Sequence, residues 1–223
     1  MAINLPKLFD NGKHNILCID PSGSHMAYAI CELDLVDGNF TILNAGMIWT
    51  KASYSRPERL SYMQAALNVM INNPPYKEHA VDAVVTESFF SNPKQLTGGT
   101  AIVPTINAFI EMAADDAGIK FQEIGATTWR SIIGVKADKS SGKRDYKEPA
   151  KRYVELFTKL PETVPSNLDM RPRKLPHDLT DVLAIALSIA KYHNCARISF
   201  DQAWAMPHGY LLRFMQITKG DIK

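Results

Sequence analysis

The sequence predicts an α/β sandwich: a five-stranded mixed sheet, three antiparallel strands and then two parallel ones, with helices on both faces. Three observations predict it. Apolar runs separated by hairpin-length turns fill residues 14–50. Helical and strand patterns then alternate, and the stretch VLAIALSIA at 182–190 is apolar nearly all round and must be buried. The length of 223 residues, 46% hydrophobic and 22% charged, suits one domain with extensions and a core that needs no disulfide.

Residues 14–20 (HNILCID) read as a buried strand ending on an acid, followed by the turn-rich PSGS. Met26 to Glu32 returns at hairpin distance, and Asp37-Gly38 turns the chain into a third strand over 39–50. Arg56-Pro57-Glu58 opens a helix to about residue 73, with Leu60, Met63, Leu67, Met70 and Ile71 on one face, and Pro74-Pro75 stops it. Val81 to Thr86 is a short buried strand with Glu87 at its C-terminal end. A second helix over 97–117 ends at Gly118, and Ile119 to Ile124 forms the fifth strand. A short helix around Trp129 precedes a polar loop at 134–146. Helices at 147–159 and 178–192 then flank a connection rich in proline and arginine. The last thirty residues have no clear period. The expected organisation is an N-terminal extension over 1–13, one domain over 14–192 and a C-terminal extension over 193–223.

Cys18, Cys31 and Cys195 form no CxxC and no Cys/His cluster, which gives no basis for a disulfide framework or a zinc site. Cys18 and Cys31 lie in apolar runs and read as small core residues. The N-terminus lacks the basic start and apolar stretch of a secretory signal, and the longest apolar run, Val182 to Leu187, is far short of a membrane span. The expectation is a soluble cytoplasmic protein with no membrane partner.

Acids stand at the ends of these elements. Asp20 ends the first strand and Glu87 the fourth, which a mixed sheet can place side by side. Asp178 and Asp181 are three residues apart and share a face of the last helix's first turn. Each has a plainer reading: Asp20 before Pro-Ser-Gly as an Asx-turn, Glu87 as an exposed strand end, and Asp178 with Asp181 as an N-cap and its partner. Jointly, four converging carboxylates would repel unless cations bind. Hard divalent ions suit such a set, Mg²⁺ first and Mn²⁺ second. Two of them about 4 Å apart are a standard device for phosphodiester hydrolysis.

The pieces ILCIDPSGSHMAYAI, VVTESFF and HDLTDVLAIALSIA resemble the three acidic motifs of the RuvC Holliday-junction resolvases, within the RNase H-like superfamily. The stretch from GGTAIVPTINAFIEMAADDAGIKFQEI to TTWRSIIGV resembles that family's second helix, fifth strand and following segment, so the likeness spans about residues 14–192. It implies an RNase H-like fold and makes Asp20, Glu87, Asp178 and Asp181 the metal ligands. The family admits histidine at the third of these positions, which draws attention to His177. It also implies a functional lysine where Lys147 begins a helix, with Lys143 and Lys151 as rivals, and an aromatic residue contacting bases at Phe90, with Phe89 turned to the core. The chain departs from the family in its longer loop between Val135 and Tyr146 and in its extensions.

The net charge of +2 is uneven. Lys136 to Lys174 carries a local balance of +5, so the remainder sums to −3. Within that window Lys136, Lys139, Lys143, Arg144, Lys147, Lys151 and Arg152 gather around the loop, and Arg171, Arg173 and Lys174 precede Asp178. Such clusters attract phosphate, although a solvated charged loop has the same composition. Lys94 follows Phe90, and Gly98-Gly99-Thr100 would allow either a phosphate or a packed neighbour to approach.

The resemblance implies a metal-dependent, structure-selective endodeoxyribonuclease that resolves four-way DNA junctions, leaving 5′-phosphate and 3′-hydroxyl ends. Paired cuts imply a homodimer, for which Ile106, Phe109, Ile110 and Ala113 offer a face unless they pack on the sheet. Alternatives are an RNase H-like nuclease for flaps, other branched DNA or RNA–DNA hybrids, a non-catalytic junction-binding module, and an actin- or sugar-kinase-like phosphotransferase. The last has no use for the Asp178/Asp181 pair, and the chain has no P-loop or GxGxxG.

Overall fold

A computed structural model describes residues 7–72, 80–88, 102–139 and 145–200. The chain runs β1 (Lys13–Pro21), β2 (His25–Asp34), β3 (Asn39–Trp49), α1 (Arg56–Asn72), β4 (Ala83–Glu87), α2 (Val103–Asp116), β5 (Lys120–Ile124) and α3 (Ala126–Ile133). It continues through α4 (Lys147–Glu155), β6 (Thr163–Pro165), β7 (Pro172–Lys174), α5 (His177–Tyr192) and β8 (Arg197–Phe200).

The sheet order is β5-β4-β1-β2-β3-β8. The first three strands form an antiparallel meander, while β4 joins β1, and β5 joins β4, in parallel. Period-two alternation divides the core. Leu17, Ile19, Tyr28 and Ile30 face α1 and α2, whereas Ile16, Cys18, Ala27 and Ala29 face α5 and its neighbours. Both Cys18 and Cys31 are fully buried.

Helix α5 packs across β1, β2 and β3 and also touches α3 and α4. Every residue from Leu179 to Ala190 is buried except Asp181. Burial of each large side chain contributes on the order of 1.5–3 kcal/mol, so the helix is locked in its seat with its N-terminus at the sheet's end. One strand position is set by close approach. A Cβ on Gly46 would meet Tyr28 Oη at 2.8 Å, and that hydroxyl donates to Asn44 Oδ1 at 2.9 Å.

Three expectations are corrected. The sheet has six strands, not five, because Arg197–Phe200 pairs in parallel with β3. Four residues alternating between exposed and half-buried are too short to show a period, and their partner is remote in sequence. The connection before α5 holds a two-stranded ribbon, β6 with β7. Helix α4 ends at Glu155, four residues short of the expected bound. The expected first residues of the second helix, 97–101 with Gly98-Gly99-Thr100 among them, and Pro74-Pro75 lie outside the described residues. Among the described residues no helix is long and apolar enough to cross a membrane.

Candidate active site

The pairing of β1 with β4 runs to Ile19 opposite Thr86, which brings Asp20 and Glu87, one residue further on, to the same end of adjacent parallel strands. The β1–β2 turn is closed by Ser22, whose N–H and Oγ donate to the His25 carbonyl at 2.9 and 3.0 Å. The turn therefore does not depend on an Asx bond from Asp20. Pro176 occupies the N-cap of α5 with no side-chain cap bond, so Asp178 is not the helix's cap. Its Oδ2 is instead hydrogen-bonded to His25 Nε2 from the start of β2. His25 Nδ1 in turn meets Ser24 Oγ at 3.0 Å.

The four acids act on one another through space. Burial holds the Asp20 carboxyl well above the usual carboxylate range, and the charges of Glu87, Asp178 and Asp181 push the same way. Asp181 is pushed up to about 7, first by burial and then by Glu87, with Arg130 and Lys147 opposing. Burial also raises Glu87, against the Trp129 hydrogen bond and the Arg130 charge. Asp178 moves the other way: the His25 hydrogen bond lowers it most, and Lys147 and His177 add to this. The resulting arrangement is an electronegative, half-buried end of the sheet with two cations, Arg130 and Lys147, facing it.

The donor set suits a hard divalent cation, since it is all carboxylate oxygen and carries repulsion that a cation would relieve. Among the described residues no three His, Cys, Asp or Glu side chains form a ready-made metal-holding group. Two of the acids are engaged by neighbours: Asp178 Oδ2 is hydrogen-bonded to His25 Nε2, and Glu87 Oε2 accepts from Trp129 Nε1 at 3.1 Å. Both acids would have to leave a partner or share it to bind an ion.

Three residues at this site escaped the sequence reading: His25, Trp129 and Arg130. Trp129 is fully buried on α3 beneath Glu87. Arg130 contacts two rings, with its guanidinium carbon 4.7 Å from the Trp129 centroid and 4.5 Å from that of Tyr146. Its Nε is buried and has no hydrogen-bond partner among the described residues. A cation held this way is aimed by its neighbours. His177, noted from the sequence, is exposed at the first turn of α5.

The expected basic residues fall on two sides. Lys136 and Lys139 are exposed and line a cleft of about 670 Å³ with Arg130, Ser131 and Tyr146. Lys151, Lys159 and Lys174 line a groove of about 1000 Å³ that Glu148, Glu155 and Glu162 also line. Arg171 and Arg173 are exposed on the β6–β7 ribbon. Phe90, Lys94, Lys143 and Arg144 lie outside the described residues.

A mixed sheet with this strand order, helices on both faces and acids at the ends of β1, β4 and α5 defines an RNase H-like fold. No protein-family model and no curated protein matches the sequence. Among solved structures, T. thermophilus RuvC in complex with a Holliday junction substrate is similar, with a TM-score of 0.56 and 18% identity, over 82% of this chain and 96% of that one. Another Thermus thermophilus RuvC structure gives 0.55 and 20%, over 80% of this chain and 94% of that one. The fold is that of the RuvC resolvases.

Proposed function

We propose that this protein is a metal-dependent, structure-selective endodeoxyribonuclease that resolves four-way DNA junctions by paired phosphodiester hydrolysis, leaving 5′-phosphate and 3′-hydroxyl ends. The observation that carries the reading is the gathering of Asp20, Glu87, Asp178 and Asp181 at one end of the sheet, where burial and mutual repulsion raise Asp20 and Asp181. We assign these four acids as the ligands of two Mg²⁺ ions, with Mn²⁺ able to substitute. When bound, the ions supply charge neutralisation and an activated water for attack at phosphorus. Asp181 would surrender its proton on loading, so metal binding strengthens as pH rises.

Lys147, which acts electrostatically on both Asp178 and Asp181, supplies positive charge toward the scissile phosphate, and Arg130 faces the same acids from α3. The exposed lysines of the two flanking clefts and Arg171, Arg173 and Lys174 are assigned to the DNA backbone, and Phe90 to stacking on an unpaired base. Two copies are needed for paired cuts. Ile106 and Ile110 are buried against the sheet, which leaves half-buried Phe109 and exposed Met112 as the apolar part of α2 open to a partner. The protein is assigned to the cytoplasm and to no membrane.

Labelled four-way junction, flap and linear duplex incubated with Mg²⁺ test the substrate class. Paired, symmetric cuts confined to the junction are expected. Equal cutting of all three substrates rejects junction selectivity in favour of a general nuclease.

A further inference from the structure

The β6–β7 ribbon has three residues in each strand, far too few to hold itself together in water. It is nonetheless pinned at both its face and its loop. Val164 enters the main core, 3% exposed, and Ser166 and Asn167 in the loop are fully buried. Asn167 is the pin. Its Oδ1 accepts from the Trp49 N–H at 2.7 Å, and its Nδ2 donates to the Trp49 carbonyl at 3.1 Å and to Tyr62 Oη at 2.6 Å. One amide thus ties the ribbon to the last residue of β3 and to the middle of α1. A buried amide is tolerated only when satisfied, so three bonds from one side chain specify a single docked position.

The docked ribbon turns its other face to solvent. Arg171, Pro172, Arg173 and Lys174 are all exposed, with Asp169 alone opposing them from within the ribbon. The ribbon connects to Asp178 through two intervening side chains. The Arg173 guanidinium lies 5.8 Å from the Trp49 ring, Trp49 pairs with His25 across the sheet, and His25 holds Asp178. Lys174 faces the groove that His177 and Thr180 of α5 also line.

We propose that the β6–β7 ribbon is a fixed phosphate-contacting arm for the nucleic acid cut at the neighbouring acids, and that Asn167 is the positioning residue that holds it there. The proposal rests on the nuclease reading and adds the part of the chain that aims the substrate. Asn167 touches no substrate; it acts through Arg171, Arg173 and Lys174. Because each lost phosphate contact lowers the salt slope of duplex binding by about 0.9, removing all three cations should lower it by roughly 2–3.

The test measures the salt dependence of binding to a labelled four-way junction, with EDTA present to prevent cutting. It compares wild type, R171A/R173A/K174A, Asn167→Ala and the combination of all four changes. Expected is a slope reduced by the charge-removal triple and by Asn167→Ala alike, with no further loss when the two are combined. A purely structural Asn167 would lower the melting temperature, leave the slope at the wild-type value and add its effect to the triple. That result overturns the proposal, as does a wild-type slope in the triple. Should Asn167→Ala fail to fold, Tyr62→Phe removes one of the three bonds, and a smaller slope reduction is expected; an unchanged slope overturns the pin. Absence of junction binding by wild type would instead reject the nuclease reading itself.

Discussion

Replacing Asp181 by Asn should stabilise the metal-free protein while removing its activity. The carboxyl stands at about 7 in the fold against an ordinary 3.8, raised by burial and by Glu87. Between those values the folded state keeps a proton that the unfolded chain has released. Stability therefore falls as pH rises through that window, and the penalty is complete above about pH 7. At about 1.4 kcal/mol per pH unit the full effect is about 4 kcal/mol, and water reaching this partly exposed carboxyl reduces it to roughly 2–4 kcal/mol. Asn cannot ionise and escapes the penalty. In EDTA the variant should melt close to wild type at pH 3.5 and roughly 5–15 °C above it at pH 8. Excess Mg²⁺ at pH 8 should raise the wild-type melting temperature and close the gap. An Asn variant that melts at or below wild type at pH 8, or a gap that is the same at both pH values, would refute the electrostatic account of this site.

Three further outcomes follow from the same geometry. Arg130→Ala removes a charge that opposes protonation of Asp20, Glu87 and Asp181, so the pH of half-maximal cleavage should move upward and the rate fall at least about tenfold; a pH–rate profile measures both. Leu183→Ala in the fully buried face of α5 should cost about 2–5 kcal/mol in urea unfolding. Gly46→Ala drives a methyl against Tyr28 Oη and should destabilise by about 1–3 kcal/mol, with Tyr28→Phe in the same chain recovering part of the loss.

The fold was legible wherever hydrophobic period and turn chemistry agree. The meander, α1, β4 and α5 follow from apolar spacing, and VLAIALSIA, apolar at every position but Ser188, has to be buried. The acids were legible because they stop apolar runs: Asp20 and Glu87 end strands that need buried neighbours, and Asp181 interrupts an otherwise buried helix. Elements that depend on a distant partner were not. RISF becomes a strand only because β3 has an open edge, and the ribbon exists because Asn167 finds Trp49 and Tyr62, more than a hundred positions away. The same holds for the residues that tune the acids. Nothing near His25 in sequence marks it as the partner of Asp178, and Trp129 reads as core until its indole nitrogen is seen to point at Glu87.

The most direct measurement of the central claim is the single-turnover rate of four-way junction cleavage in Mg²⁺ by wild type and by Asp20→Asn, alongside junction affinity for both. Asp20 is the most crowded of the acids, with all three others raising it. A rate loss of about a thousandfold or more is expected, the scale of several kcal/mol of metal-derived stabilisation, with junction binding retained. Cleavage by Asp20→Asn at the wild-type rate would contradict it.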